Sequence, residues 1–129
     1  MFDRIETLRM AGALTAHAAQ RQKLIARNVA NADTPGFRAR DLAGFAEGYR
    51  AGAATGMRAS RPGHLVGAGW GMGAGRDMET ASEPAPNGNT VSLEEEMVRT
   101  AAARREFDLS LAVTRASLSL IRTSLGRRA

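Results

Sequence analysis

Few residues in this chain have the type and spacing that catalysis or metal binding requires. His17 and His64 have no histidine or carboxylate partner at metal-ligand spacing, and the chain has no cysteine. Several serines lie on predicted helical faces near the C-terminus, without the strand–turn–helix elbow of a hydrolase nucleophile: Ser110, Ser117, Ser119 and Ser124. The sequence therefore predicts no enzyme, no metal site and no cofactor.

A run of alternating glycines from Gly67 to Gly75 suggests a nucleotide-binding loop at first sight. Dinucleotide binding needs G-x-G-x-x-G between a strand and a helix, and a phosphate loop needs a following Lys-Ser or Lys-Thr. Neither pattern is present, so we expect no nucleotide site.

The charge of the chain leaves one alternative function open. Seventeen arginines and one lysine give a net charge of +5, which is compatible with a small basic helical protein that binds nucleic acid. However, the bases are spread along the chain among acids, as on an ordinary solvated surface. The acids Glu94 to Glu96 fit the first turn of a helix, where the helix dipole favours negative charge.

An N-terminal helix is predicted over residues 3–31. Asp3 and Glu6 fit a capping box, and the helix should end before Pro35, because the residue preceding a proline avoids helical geometry. Its apolar stripe is narrow, partly alanine and interrupted by Gln22: Leu8, Ala11, Leu14, Ala18, Ile25 and Val29. On this helix His17 should be a surface or seam residue.

A C-terminal helix is predicted over residues 92–125, with Ser92 and Glu95 as a capping box and Gly126 as the C′ glycine. A heptad seam runs along it at alternating spacings of four and three: Leu93, Met97, Thr100, Arg104, Phe107, Leu111, Thr114, Leu118, Ile121 and Leu125. A second row widens the apolar face: Leu109, Val113, Ala116 and Leu120. We expect this helix to contact more than one neighbour.

Residues 42–88 hold eleven of the fourteen glycines and three of the four prolines, which predicts a long loop with room for short strands near Leu65 and Val66. The predicted fold is therefore mainly α, with two long terminal helices packed as a coiled-coil-like pair and an irregular, glycine-rich middle. The chain divides into 1–41, 42–91 and 92–129, which together form one domain. We expect no cleaved signal peptide and no membrane span. Apolar surface left over by the helix pair predicts an interaction site.

The segment from Asn28 to Phe37 has the turn chemistry of a helix exit. Asn31 or Asp33 can cap the last turn, and Pro35-Gly36 suits a type II turn that folds Phe37 back onto the helix. As a pattern, Asn-x-Ala-Asn-x-x-Thr-Pro-Gly followed by an aromatic residue resembles the signature of the flagellar basal-body rod proteins. Residues 60–65 and 87–97 resemble segments of the proximal members of that family.

The resemblance implies a structural subunit of the proximal rod, which polymerises through its terminal helices and transmits motor torque. Such subunits are exported without a cleaved signal and assemble in the periplasm. Implied partners are copies of the chain, other rod proteins, and the rod adaptor and export gate at the rod base. The expected assembly residues are Leu8, Leu14, Ile25, Asn28, Asn31, Thr34, Pro35, Gly36, Phe37, Leu93, Met97, Phe107, Leu111, Leu118, Ile121 and Leu125.

Overall fold

The computed structural model describes residues 2–54 and 76–126. In chain order the elements are α1 (Phe2–Ala30), β1 (Arg40–Leu42), α2 (Phe45–Ala54), β2 (Asp77–Glu79) and α3 (Leu93–Gly126). The two long helices pack against each other and the middle holds short strands, so the predicted mainly α fold is confirmed. Within the described ranges, no helix has an apolar stretch long enough to cross a bilayer.

The helix ends agree with only part of the predicted capping. Helix α3 begins as expected, with the Glu95 N–H 3.5 Å from the Ser92 hydroxyl oxygen. Helix α1 already begins at Phe2, so Asp3 lies inside its first turn and the predicted N-cap is wrong. Gly126 is the last helical residue of α3 and has no positive φ, so its prediction as a C′ glycine is also wrong.

Helices α1 and α3 run antiparallel along a seam with a seven-residue period. Going back along α1, Asn28, Arg21 and Thr15 bond in turn to Glu96, Glu106 and Ser110 of α3. Buried residues on both helices recur every seven positions: Ala11, Ala18 and Ile25 on α1, and Glu96, Ala103 and Ser110 on α3. This is the spacing of coiled-coil packing, here with small or polar side chains at most buried positions.

The seam of α3 lies one residue away from the predicted row. Leu93, Met97 and Leu125 are 54%, 74% and 69% exposed, whereas Glu96 and Ser110 are fully buried. The predicted row is therefore wrong as the set of residues through which α3 packs against α1. Apolar periodicity finds large hydrophobic residues, but here hydrogen bonding between polar side chains decides which face of α3 is buried.

The predicted stripe of α1 is closer to the observed seam. Ala11, Ala18 and Ile25 are buried, and Leu8 and Leu14 are half-buried. Val29 is 45% exposed, so its assignment to the stripe is wrong.

The middle of the chain contains a helix that the glycine count did not predict. Strand β1 pairs antiparallel with β2, Asp41 standing opposite Met78. Helix α2 follows at once, within the predicted loop 42–88, and the loop prediction is wrong for these ten residues. Short strands were expected in the middle of the chain, so β2 does not contradict it. The rings of Phe45 and His17 pack in a T-shaped arrangement with 5.6 Å between centroids, and such tertiary packing overrides weak helix propensity. Leu65, Val66 and the run 67–75 lie outside the described residues.

Candidate assembly site

The segment that leaves α1 forms the predicted tight turn. The Phe37 N–H donates to the Thr34 carbonyl at 3.3 Å, and Gly36 between them has a φ of 70°, as a type II turn requires. Asn31, one of the two predicted caps, donates its side-chain amide to the Arg27 carbonyl at 2.7 Å. Phe37 and Leu24 both line a surface depression of about 360 Å³ at this end of α1.

A second segment, just before α3, closes over the end of α1. The side-chain nitrogen of Asn89 lies 3.0, 2.6 and 3.0 Å from the carbonyl oxygens of Asn31, Ala32 and Thr34. The Asn31 and Thr34 carbonyls also accept the N–H groups of Thr34 and Phe37, whereas for the Ala32 carbonyl this amide is the only donor among the residues that the structure describes. Asn89 is 3% exposed, which places these contacts away from water.

Backbone hydrogen bonds join the same two segments, and we call residues 31–39 with 85–91 the motif junction. The Gly36 N–H donates to the Asn87 carbonyl and the Thr90 N–H to the Phe37 carbonyl, both at 3.0 Å. A Cβ on Gly88, whose φ is 78°, would lie 3.5 Å from the Gly36 Cα. The junction thus brings two glycines with positive φ into direct contact.

Asn28 connects the junction to β1 and α3. Its amide nitrogen donates to the Arg40 carbonyl at 2.8 Å and to Glu96 Oε1 at 3.1 Å, and its oxygen accepts the Arg40 N–H at 3.2 Å. Asn28 is 1% exposed and Glu96 is fully buried. A buried amide that both donates to and accepts from one backbone unit fixes the position of β1 against α1.

A row of charged side chains continues the seam beyond Asn28. Arg21 binds both carboxylate oxygens of Asp41 at 2.9 Å and reaches Glu106 Oε1 at 3.1 Å. Arg99 pairs with Glu96 and lies 4.0 Å from Asp41. Because Asp41 comes from β1, this network holds the sheet against both long helices.

The protonation of the central pair follows from its surroundings. Burial acts to raise the pKa of Asp41, but hydrogen bonds from Arg21 and the Leu42 N–H, with the charges of Arg21 and Arg99, outweigh it. The pKa of Asp41 is therefore lowered. The hydrogen bond to Asp41 raises the pKa of Arg21 against the opposing effect of desolvation. Both groups are thus charged at neutral pH.

His17 lies at the edge of the seam, one of the two places predicted for it. Its Nε2 lies 2.9 Å from the Ala43 carbonyl oxygen, and its Nδ1 lies 3.9 Å from Glu106 Oε2. Among residues 2–54 and 76–126, no three histidine, aspartate or glutamate side chains are grouped as a metal site requires.

The structure divides the predicted assembly residues into three groups. On α1, Ile25 is buried in the seam and Leu8 and Leu14 are half-buried. Asn31, Thr34, Pro35, Gly36 and Phe37 form the motif junction, with Asn28 next to it. The hydrophobic members on α3 lie along one side of the helix, where Phe107, Leu111 and Ile121 are half-buried and Leu93, Met97, Leu118 and Leu125 are exposed.

Several residues that hold the site together were missed by sequence reasoning: Arg21, Asp41, Asn89, Glu96, Arg99 and Glu106. For Arg21 a signal was present, because it lies seven residues before Asn28 and seven after Leu14 in the period of the α1 seam. For Asp41 the sequence contained no comparable periodic signal, because this residue lies in β1 and reaches the seam only in the folded chain.

Comparison with known protein families leads to the same part of the chain. A family model for the flagella basal body rod protein matches residues 10–38, which include the seam of α1 and the turn from Thr34 to Phe37. The flagellar basal body rod protein FlgB of Agrobacterium fabrum (strain C58) is 34% identical over 99 residues, which are 74% of this chain and 74% of that protein. At that identity over three quarters of both proteins, the chain belongs to the flagellar basal body rod protein family.

Proposed function

We propose that this chain is a structural subunit of the flagellar basal-body rod that assembles through the exposed faces of its two terminal helices. Family membership supports the rod, and one observation about α3 supports the mode of assembly. Large apolar side chains stand outside the seam and are 43–74% exposed: Leu93, Met97, Val98, Leu109, Leu118, Leu120 and Leu125. Apolar surface of this extent on one helix is typical of a protein–protein contact.

The more specific assignment, to the proximal rod, is based on the FlgB relative and on the sequence motifs that resemble this family. Similarity to a FlgB protein supports a place in the proximal rod, where the subunit would transmit motor torque. The proposed partners are copies of the chain and other rod proteins, with the rod adaptor and the export gate at the rod base. The proposed location is the periplasmic part of the basal body, reached by export without a cleaved signal peptide.

The role that we propose involves no catalysis. Polar side chains of the seam bond mainly to one another and to the backbone, an arrangement that serves packing and not chemistry on a substrate. The nucleic-acid alternative finds no support in either comparison, since both point to the flagellar rod. Absence of DNA retention at low salt would remove that alternative.

Motility tests the proposal directly. In cells that lack their own copy of the gene, the wild-type chain should restore swimming, whereas Leu118→Asp and Leu111→Asp should not, although both proteins are made. Leu118 is 43% exposed, so its substitution should act on assembly more than on the helix pair. The neighbouring exposed position supplies the control, and Ser119→Asp should swim normally. Normal swimming with Leu118→Asp would contradict the assembly role of this face.

A further inference from the structure

Asn87 and Gly88, in the motif junction, form the one Asn-Gly pair of the chain. An asparagine deamidates when the backbone nitrogen of the next residue attacks its side-chain amide carbon, and a side chain on that next residue hinders the attack. Glycine has no side chain, so Asn87 is the asparagine of this chain with the most reactive neighbour. Both residues are exposed, which gives water access to the reacting groups.

Hydrogen bonds hold the reacting groups of this pair in place. The Gly88 N–H donates to the Ala85 carbonyl at 2.8 Å, and the Asn87 carbonyl accepts the Gly36 N–H at 3.0 Å, so the peptide unit between the two residues is fixed at both ends. Asn87 Oδ1 accepts the Asn89 N–H at 3.0 Å, which fixes the side-chain amide as well. The Gly88 nitrogen can lose its proton and reach the side-chain carbon only after these bonds break.

We propose that Asn87 is a deamidation site that the native motif junction protects and that reacts whenever the junction opens. The Gly88 nitrogen bonds to Asn87 Cγ, and the side-chain nitrogen leaves as ammonia, taking up the proton that the Gly88 nitrogen gives up. The product is a succinimide ring. Water then adds to one of the two ring carbonyls and breaks its bond to the Gly88 nitrogen, which leaves either aspartate or isoaspartate.

The two products should affect the junction differently. Aspartate keeps the side-chain oxygen that accepts the Asn89 N–H. Isoaspartate carries the main chain through the side-chain carbons of residue 87, which lengthens the main chain by one carbon. That change should move the Asn89 amide away from the Ala32 carbonyl, 2.6 Å from it in the native chain. Neither product returns to asparagine, so the converted fraction records how long the junction has been open.

Incubation of the purified full-length chain with and without urea tests the protection. Mass spectrometry of the peptide that contains residue 87 measures the conversion of its amide to a carboxyl group. Deamidation should be about tenfold or more slower in native buffer than in urea, because it proceeds only through the open junction. Equal rates in the two buffers would overturn the proposal. In urea, Gly88→Ala should slow the reaction strongly, and an unchanged rate would exclude attack by this nitrogen.

A variant that loosens the junction without altering the reacting pair gives a second measurement. Asn89→Ala removes the side-chain amide that binds the α1 exit, so it should speed deamidation of Asn87 in native buffer and match the wild type in urea. Ser119→Ala, at an exposed position on α3, is the control and should react like the wild type in both. A native-buffer rate in Asn89→Ala equal to that of the wild type would show that the junction does not control the reaction.

The two products can be separated chromatographically and their stabilities compared. Asn87→Asp reproduces the aspartate product and should unfold at the same temperature as the wild type, whereas the isoaspartate form should unfold at a lower temperature. An isoaspartate form as stable as Asn87→Asp would contradict the predicted displacement of the Asn89 amide. The inference does not depend on the rod assignment, which the motility experiments test separately.

Discussion

The side-chain nitrogen of Asn89 lies 2.6 Å from the carbonyl oxygen of Ala32, in the turn that follows α1. This short contact joins two segments that are 57 residues apart in the chain. Two carbonyls on either side, those of Asn31 and Thr34, lie 3.0 Å from the same nitrogen. The segment that enters the last long helix thus bonds directly to the exit of the first one, so each should stabilise the native conformation of the other.

Removing the Asn89 donors should destabilise the helix pair. Asn89→Ala leaves the part-buried Ala32 carbonyl without its donor and removes a second donor from the Asn31 and Thr34 carbonyls, which costs about 1–3 kcal/mol. Asn89→Asp should cost more, because a carboxylate repels the same carbonyls. Thermal unfolding followed by circular dichroism measures both effects. Asn87→Asp is the matched control, because Asn87 uses its oxygen as an acceptor for the Asn89 N–H and a carboxylate serves equally well. An Asn89→Asp variant as stable as Asn87→Asp would refute the capping role.

A carboxylate at position 28 should conflict with Glu96. Asn28→Asp would place a second buried negative charge about 3 Å from Glu96 Oε1, at a site that is 1% exposed. We expect a loss of roughly 3 kcal/mol in the free energy of unfolding, measured with urea. Adding Glu96→Gln should recover part of that loss, since the repulsion then disappears. Strictly additive effects of the two substitutions would show that residues 28 and 96 do not interact.

The Arg21–Asp41 pair predicts how stability changes in acid. The pKa of Asp41 is lowered in the folded chain, so its contribution is complete above the unfolded value of about 3.9 and is lost as the pH falls through the folded value. Asp41→Asn should therefore lower stability at neutral pH and flatten the stability profile below about pH 4. Asp33→Asn, at an exposed position, should change neither. An unchanged acid profile in Asp41→Asn would show that this pair does not govern the transition.

Hydrogen exchange should be uneven along α3 in a verified monomer. Glu96, Ala103 and Ser110 are the buried residues of this helix, and none beyond Ser110 is buried up to Gly126. Backbone amides of residues 96–110 should therefore exchange more slowly than those of 117–126, because under the proposed assembly only neighbouring subunits would stabilise the latter stretch. Mass spectrometry of peptides from each stretch makes the comparison. Equally slow exchange in both stretches would contradict ordering that depends on assembly.

Sequence alone was sufficient for the architecture and for the turn after α1. Long amphipathic patterns predict helices well because they depend on local backbone geometry, and Pro35-Gly36 permits few conformations. The residues that match the rod-protein pattern could also be identified from the sequence, because a motif depends only on the order of residues in the chain. Helix α2 could not be predicted from the sequence, because its position depends on the contact between Phe45 and His17, which come from different parts of the fold.

The sequence determined that this protein has two long terminal helices, a specific helix exit and membership of the rod family. Only the tertiary structure decided which face of each helix lies inside. Among the residues whose burial the structure describes, the largest fully buried side chains are Glu96, Asn28 and Ser110, all of them polar. Burying polar groups is favourable only where hydrogen-bonding partners meet them, and those partners come from distant parts of the chain. The polar residues therefore take the seam between α1 and α3, and the large apolar residues of α3 are left on its outer surface.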